Sequence, residues 1–134
     1  MRFFTLEEAE AAIPQLEKIF TSALEIKARA QVKIENIEEL EALESPDLAR
    51  LVIERAQLDF LAKSFEEVLG RIAEIGAALK GIEPALVDFP SHLENIGDVY
   101  LCWKSGERRI TQYHGMDESF LNRKPIFQRE EKPV

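Results

Sequence analysis

The sequence predicts an α+β protein: a long antiparallel helical hairpin with a short or Pro-kinked first helix, followed by a small C-terminal antiparallel β-sheet. Three observations predict it. Apolar residues recur at three- and four-residue steps through about the first eighty positions. The segment "LESPDLARL" interrupts that pattern near its middle. After "ALVDF" the chain changes to alternation, and its single Trp and single Cys both fall in "VYLCWKSGERRITQYH".

The first helix is expected to begin at about Leu6, because Thr5 followed three residues later by Glu8 forms a reciprocal capping box. Pro14 removes the hydrogen bond to Glu10 and disfavours helical geometry at Ile13, which predicts a short helix or a kink there. Leu16, Ile19, Ala23, Ile26, Ala30, Ile34, Ile37 and Leu40 then mark one amphipathic helix. Ser45 is read as the cap of the next helix, with Pro46 at its first position and Asp47 at its positive end.

In that second long helix, Leu51, Leu58, Phe65, Ile72 and Leu79 repeat every seven residues in coiled-coil fashion, with Gly81 as the stop. Each long helix covers roughly thirty residues, or about 45 Å. A second apolar stripe, Ile53, Phe60, Leu61, Val68 and Ile75, exceeds what a hairpin can cover. It leads to the expectation of a homodimer joined through the long helices.

Beyond Gly81, "ALVDF" reads as a strand broken by Pro90, and "VYLCW" and "RITQYH" as a hairpin closed by Ser105-Gly106. That turn would set Cys102 opposite Arg109 and Leu101 opposite Ile110. Val99, Leu101, Trp103, Ile110 and His114 would then share one face, with Tyr100, Cys102, Arg109, Thr111 and Tyr113 on the other. We read residues 1–134 as a single domain, with 1–80 the helical hairpin, 81–128 the sheet and loops, and 129–134 a loose tail.

The chain has 17 Lys and Arg against 25 Asp and Glu, a net charge of −8. Residues 1–99 carry 10 − 20 = −10, and residues 100–134 carry 7 − 5 = +2. An acidic helical surface repels phosphate backbones, so nucleic acid is not an expected partner. No apolar run reaches the roughly 20 residues of a membrane span, and "MRFFTLEEAEAAIPQ" turns acidic too early for a signal peptide. A cytoplasmic protein is expected. One Cys excludes an internal disulfide.

"FTLEEAEAAIP", "LVDFP" and "VYLCWKSGERRITQYHGMDESFLNRKPI" together resemble the small bacterial and archaeal family catalogued as domain of unknown function twenty-two-oh-three. The resemblance covers nearly the whole chain. Tyr113 stands where that family commonly has Trp, and "SHLENIGD" is a longer link than usual. Since the family has no established activity, the resemblance implies shared shape and supplies no catalytic residue or cofactor.

The candidate chemistry is therefore read from the residues. His114 with Asp117 or Glu107 is a candidate acid–base set, and Asp88, His92, His114 and Asp117 are candidate metal ligands. The expected hairpin register separates Cys102 from His114, which disfavours a site containing the thiol. Lys104, Arg108, Arg109, Arg123 and Lys124 form a candidate anion-binding group. Trp103 reads first as core and second as a ligand platform.

There is no nucleophile elbow and no phosphate-binding glycine loop. Three readings follow. The first is an interaction, regulatory or small-ligand-binding protein that meets its protein partner or small anionic ligand at the C-terminal sheet. The others are a metal-dependent or acid–base enzyme centred on His114 and Asp117, and an anion-binding module using the basic cluster.

Overall fold

A computed structural model describes residues 1–126; the tail expected at 129–134 lies outside them. The described residues form two compact units: Ile19–Arg71, and Met1–Lys18 together with residues 72–126. Helix α1 covers Leu6–Ala11, α2 Ile13–Glu41 and α3 Leu48–Ile75. The expected capping box is present, with Thr5 Oγ1 accepting from Glu8 N–H at 3.0 Å and Glu8 Oε1 accepting from Thr5 N–H at 2.8 Å. The helix breaks at Ala12, two residues before the proline that cannot donate.

In the Ile19–Arg71 unit, α2 and α3 form the expected antiparallel hairpin. Its seam on α3 is Leu51, Glu54, Leu58, Leu61, Phe65 and Val68, a continuous run of three- and four-residue steps. Leu61 and Val68, assigned to the second stripe by sequence, are in this seam. Glu54 was hidden from an apolar pattern because it is charged, yet it is 3% exposed. Burial opposes its charge, while Lys33 at 3.2 Å, Asn36 at 3.4 Å and Arg50 at 3.3 Å hold the carboxyl below its ordinary range. Val52, Ile53 and Phe60 remain exposed.

Two helix boundaries differ from expectation. The cap of α3 is Asp47, whose Oδ1 accepts from Arg50 N–H at 3.1 Å, and Ser45 and Pro46 belong to the preceding turn. The C-terminal stop is Gly76 instead of Gly81. Ala77 N–H bonds Ile72 O at 3.2 Å and Gly76 N–H bonds Ala73 O at 3.0 Å, the paired bonds of a Schellman motif with Gly76 at φ +103°. Arg2 Nη1 donates to Ile75 O at 3.0 Å, so a further end carbonyl is satisfied. Leu79, expected on the helix, is in a strand.

The second unit carries a five-stranded antiparallel meander in the order β1-β2-β3-β4-β5. Its strands are Ala78–Ile82, Ala85–Leu93, Gly97–Lys104, Gln112–Gly115 and Lys124–Pro125. Strand β2 runs straight through Pro90. Phe4 N–H donates to Pro90 O at 2.7 Å, and a residue's N–H and C=O point to the same side in a strand. The missing donor of Pro90 therefore faces Phe4, and β3 loses no hydrogen bond. The "SHLENIGD" segment is no loose link: Ser91–Leu93 ends β2, and a short turn with Asn95 at φ 68° and Gly97 at φ +105° starts β3.

One sheet face presents Val87, Phe89, Val99, Leu101 and Trp103, all buried, with Phe4 edge-on to Phe89 at 5.0 Å. Ala9, Ile13, Leu16, Ile72 and Ile110 belong to the same unit's core. Among the described residues no helix is long and apolar enough to cross a membrane.

Gly76 and Gly70 should respond oppositely to alanine. At Gly76 the positive φ and a Cβ 3.1 Å from Arg2 Cδ impose strain, so Gly76→Ala should cost at least about 1 kcal/mol. At Gly70, inside α3 with nothing within 4 Å, alanine should add up to about 1 kcal/mol. Urea unfolding of both variants measures the difference.

Candidate functional site

The site depends on how β3 and β4 align. Glu107 N–H bonds Lys104 O at 3.0 Å, closing a turn with Gly106 at φ +96°. Two side-chain bonds then occupy the groups a tight hairpin would continue with: Glu107 Oε1 accepts from Lys104 N–H at 2.7 Å, and Trp103 Nε1 donates to Glu107 O at 2.9 Å. Ile110 N–H is taken by Glu10 Oε2 at 2.8 Å. The chain bows outward and pairs again only at Gln112, opposite Cys102, with His114 opposite Tyr100.

The two-residue hairpin register is therefore wrong by three positions, an odd number, which exchanges the faces of every β4 side chain. His114 does not share a face with Val99 and Leu101. It joins Tyr100, Cys102 and, across β2, Asp88. The expectation that register keeps Cys102 away from His114 is overturned.

Asp88, Cys102 and His114 are all buried, and their ligand-type atoms lie within 4.8 Å of one another. His114 Nε2 is 2.9 Å from Asp88 Oδ2. His114 Nδ1 is 2.8 Å from Gly115 O, which only accepts, so Nδ1 carries a proton. A further proton is then held between Nε2 and Asp88. Burial, followed by the adjacent Asp88 carboxylate, pushes the Cys102 thiol far up, so it is a protonated sulfhydryl and no nucleophile.

Beside the pair lies a cavity of about 320 Å³ bounded by Lys80, Tyr100, Trp103, Met116, Glu118 and Phe120, with Asp88 and His114 in its wall. Lys80 stands at the irregularity in β1 between Leu79 and Gly81, its Nζ 5.9 Å from the Tyr100 ring centre. Met116, Glu118, Ser119 and Phe120, from the segment after β4, line it as well. Glu118 Oε1 accepts from Lys124 Nζ at 2.6 Å and from Gly115 N–H at 2.8 Å, and these bonds hold its carboxyl below the ordinary value.

The other candidates are dispersed. Asp117 is exposed in the turn after β4, and the carboxylate that meets His114 is Asp88. His92 is exposed and pairs with Asp98 at 2.9 Å at the far end of the hairpin. Glu107 is occupied by the turn and by Arg123 at 3.4 Å. Arg109 reaches Glu10 at 3.6 Å, Lys124 reaches Glu118, and Arg108 is exposed. Lys104 is half-buried beside the turn. Arg109, Arg123 and Lys124 thus meet three separate carboxylates, and the five basic residues do not converge on one point. Trp103 is 1% exposed and serves the core and the turn, with part of it reaching the cavity wall.

Cys102, which the expected register disfavours, and Gln112, which no motif marks, lie on the candidate face. Gln112 Oε1 is buried with no hydrogen-bond partner among the described residues, directly across from Cys102. Once the register is known, both follow from alternation alone.

A meander sheet with one apolar face, whose other face buries a His, an Asp and a Cys beside a cavity, makes this an α+β protein with a candidate site on its sheet. The chain belongs to the family described as an uncharacterized conserved protein (DUF2203), whose family model matches residues 2–126. No curated protein and no solved structure matches the chain.

The bonds to Glu118 set an acid sensitivity. Its folded pKa is lowered from 4.5, so the stability it contributes is complete above that value and is lost as pH falls through the lower folded value. Glu118→Gln should therefore lose less stability than wild type between about pH 7 and about pH 3.5. Thermal unfolding at the two pH values checks this.

Proposed function

We propose that the chain is a small-ligand-binding protein, and that the cavity on the polar face of the sheet takes a small organic anion with a flat apolar body. The observation that carries this reading is the charge balance of the cavity wall. Glu118 is neutralised by Lys124, and Asp88 by the proton it shares with His114. Lys80 is left as a positive charge with no carboxylate partner among the described residues. Tyr100 and Phe120 contribute aromatic rings to the wall, and the volume lies at the small end of ligand sites.

Binding is favoured over acid–base catalysis by one detail. Both nitrogens of His114 are engaged within the protein, so neither is free to exchange a proton with a substrate in the cavity. Titrating the ¹⁵N-labelled chain with benzoate should shift the amides of Lys80, Tyr100, His114 and Phe120, while benzyl alcohol should bind more weakly. Lys80→Gln should weaken benzoate by about tenfold, the worth of one charged hydrogen bond. Shifts spread over the whole chain, or equal response to the neutral compound, would refute the reading.

The same reading includes a cytoplasmic homodimer in which the exposed Val52, Ile53 and Phe60 of α3 meet a second copy in a four-helix arrangement. Sedimentation equilibrium should give a dimer for the wild type and a monomer for Phe60→Glu. A monomeric wild type rejects the dimer and leaves the benzoate test unaffected.

A further inference from the structure

We propose that Asp88, Cys102 and His114 form a zinc site whose fourth position opens toward the sheet cavity. One carboxylate, one sulfur and one imidazole, all buried and converging, match the ligand types and number that zinc takes at a site with one open position. The imidazole is already arranged for the role. His114 Nδ1 is held by Gly115 O at 2.8 Å, which fixes the tautomer and turns Nε2 toward Asp88 and Cys102.

The spacing also fits. With metal–ligand distances of about 2.0–2.3 Å, tetrahedral ligand atoms stand roughly 3.3–3.7 Å apart. The 2.9 Å contact between His114 and Asp88 needs to open by about 0.4 Å, and a pair at the 4.8 Å limit of the group needs to close by about 1.1 Å, both within reach of side-chain rotation. Three strands carry the ligands, β2, β3 and β4, so the ladder hydrogen bonds of the sheet hold them in place. Gln112 Oε1, buried without a partner and on the same face as Cys102, is an acceptor suited to a water on the metal.

Charge and protons balance. Zinc takes the place of the proton between His114 and Asp88 and of the thiol proton, so two protons pass to the buffer for each ion bound. The divalent cation with one carboxylate, one thiolate and a neutral imidazole is neutral, as the metal-free group is. Lys80 therefore keeps the surplus charge of the cavity in either state, and the zinc site stands independently of the organic-anion reading.

The test is titration of the chelator-treated full chain with Co²⁺ and then Zn²⁺. Expected results are one ion per chain, a sulfur-to-cobalt charge-transfer absorption, displacement of cobalt by zinc, and release of two protons per ion. Cys102→Ser, a near-isosteric change, should abolish the charge-transfer band. His114→Ala should weaken zinc by more than about a hundredfold, beyond the loss typical of outer-shell changes. His92→Ala and Asp117→Asn should bind as wild type.

Circular dichroism identifies any variant that does not fold, and the wild-type band and stoichiometry stand without the variants. A folded wild type that takes up no cobalt or zinc would overturn the proposal. So would a sulfur band that survives Cys102→Ser, or binding lost in His92→Ala or Asp117→Asn. Benzoate binding to the metal-free chain reports on the cavity separately.

Discussion

The bond from the Trp103 indole to the Glu107 carbonyl, with the Glu107 carboxylate on the Lys104 amide, is the constraint on which the rest of the site depends. Together they close the turn after β3 and prevent the ladder from continuing at once into the next strand. The chain rejoins at Gln112, and that choice decides which way every β4 side chain points. Had pairing resumed directly after Gly106, His114 would lie on the apolar face and Asp88 would be buried without it. A buried carboxylate with no partner costs several kcal/mol, so the turn and the pair support each other.

Much of the fold is legible in the sequence because it rests on local rules. The Thr5–Glu8 box, the break ahead of Pro14 and the periodicity of the long helices each involve residues within one turn of one another. The sheet was legible as a sheet, through alternation. What escaped was decided by contacts distant in sequence: Glu10 capturing the Ile110 amide across 100 residues, and the Phe4 N–H donating to Pro90 O on the strand side where proline lacks a donor. Glu54 was missed for a related reason. An apolar template skips a charged residue, although Lys33 and Asn36 from the other helix make its burial tolerable.

The candidate site was half legible. His114 and Asp88 stood among the expected metal ligands, and the structure brings them together. Asp117 and His92 were included because short sequence distance and residue type were all that spacing could offer. A two-residue loop at Ser105-Gly106 keeps Cys102 from His114; the observed turn does not, because the Glu107 and Trp103 side chains consume the backbone bonds with which such a hairpin continues. A one-residue error on a strand is enough to exchange a site for a core.

The polar face of the sheet is expensive for a chain of this size. Its apolar face shows that Val, Phe, Leu and Trp at alternate positions pack a sheet well, and the same solution was open at positions 88, 102 and 114. Replacing buried ionic groups by apolar ones of similar volume often stabilises a protein by about 1–4 kcal/mol, against a total stability of about 5–15 kcal/mol. Three chemically different metal-binding groups, set on adjacent strands with a tautomer-fixing bond behind the imidazole and a cavity in front, are explained by a ligand more economically than by stability. The candidate chemistry lies where the sheet gives up apolar packing.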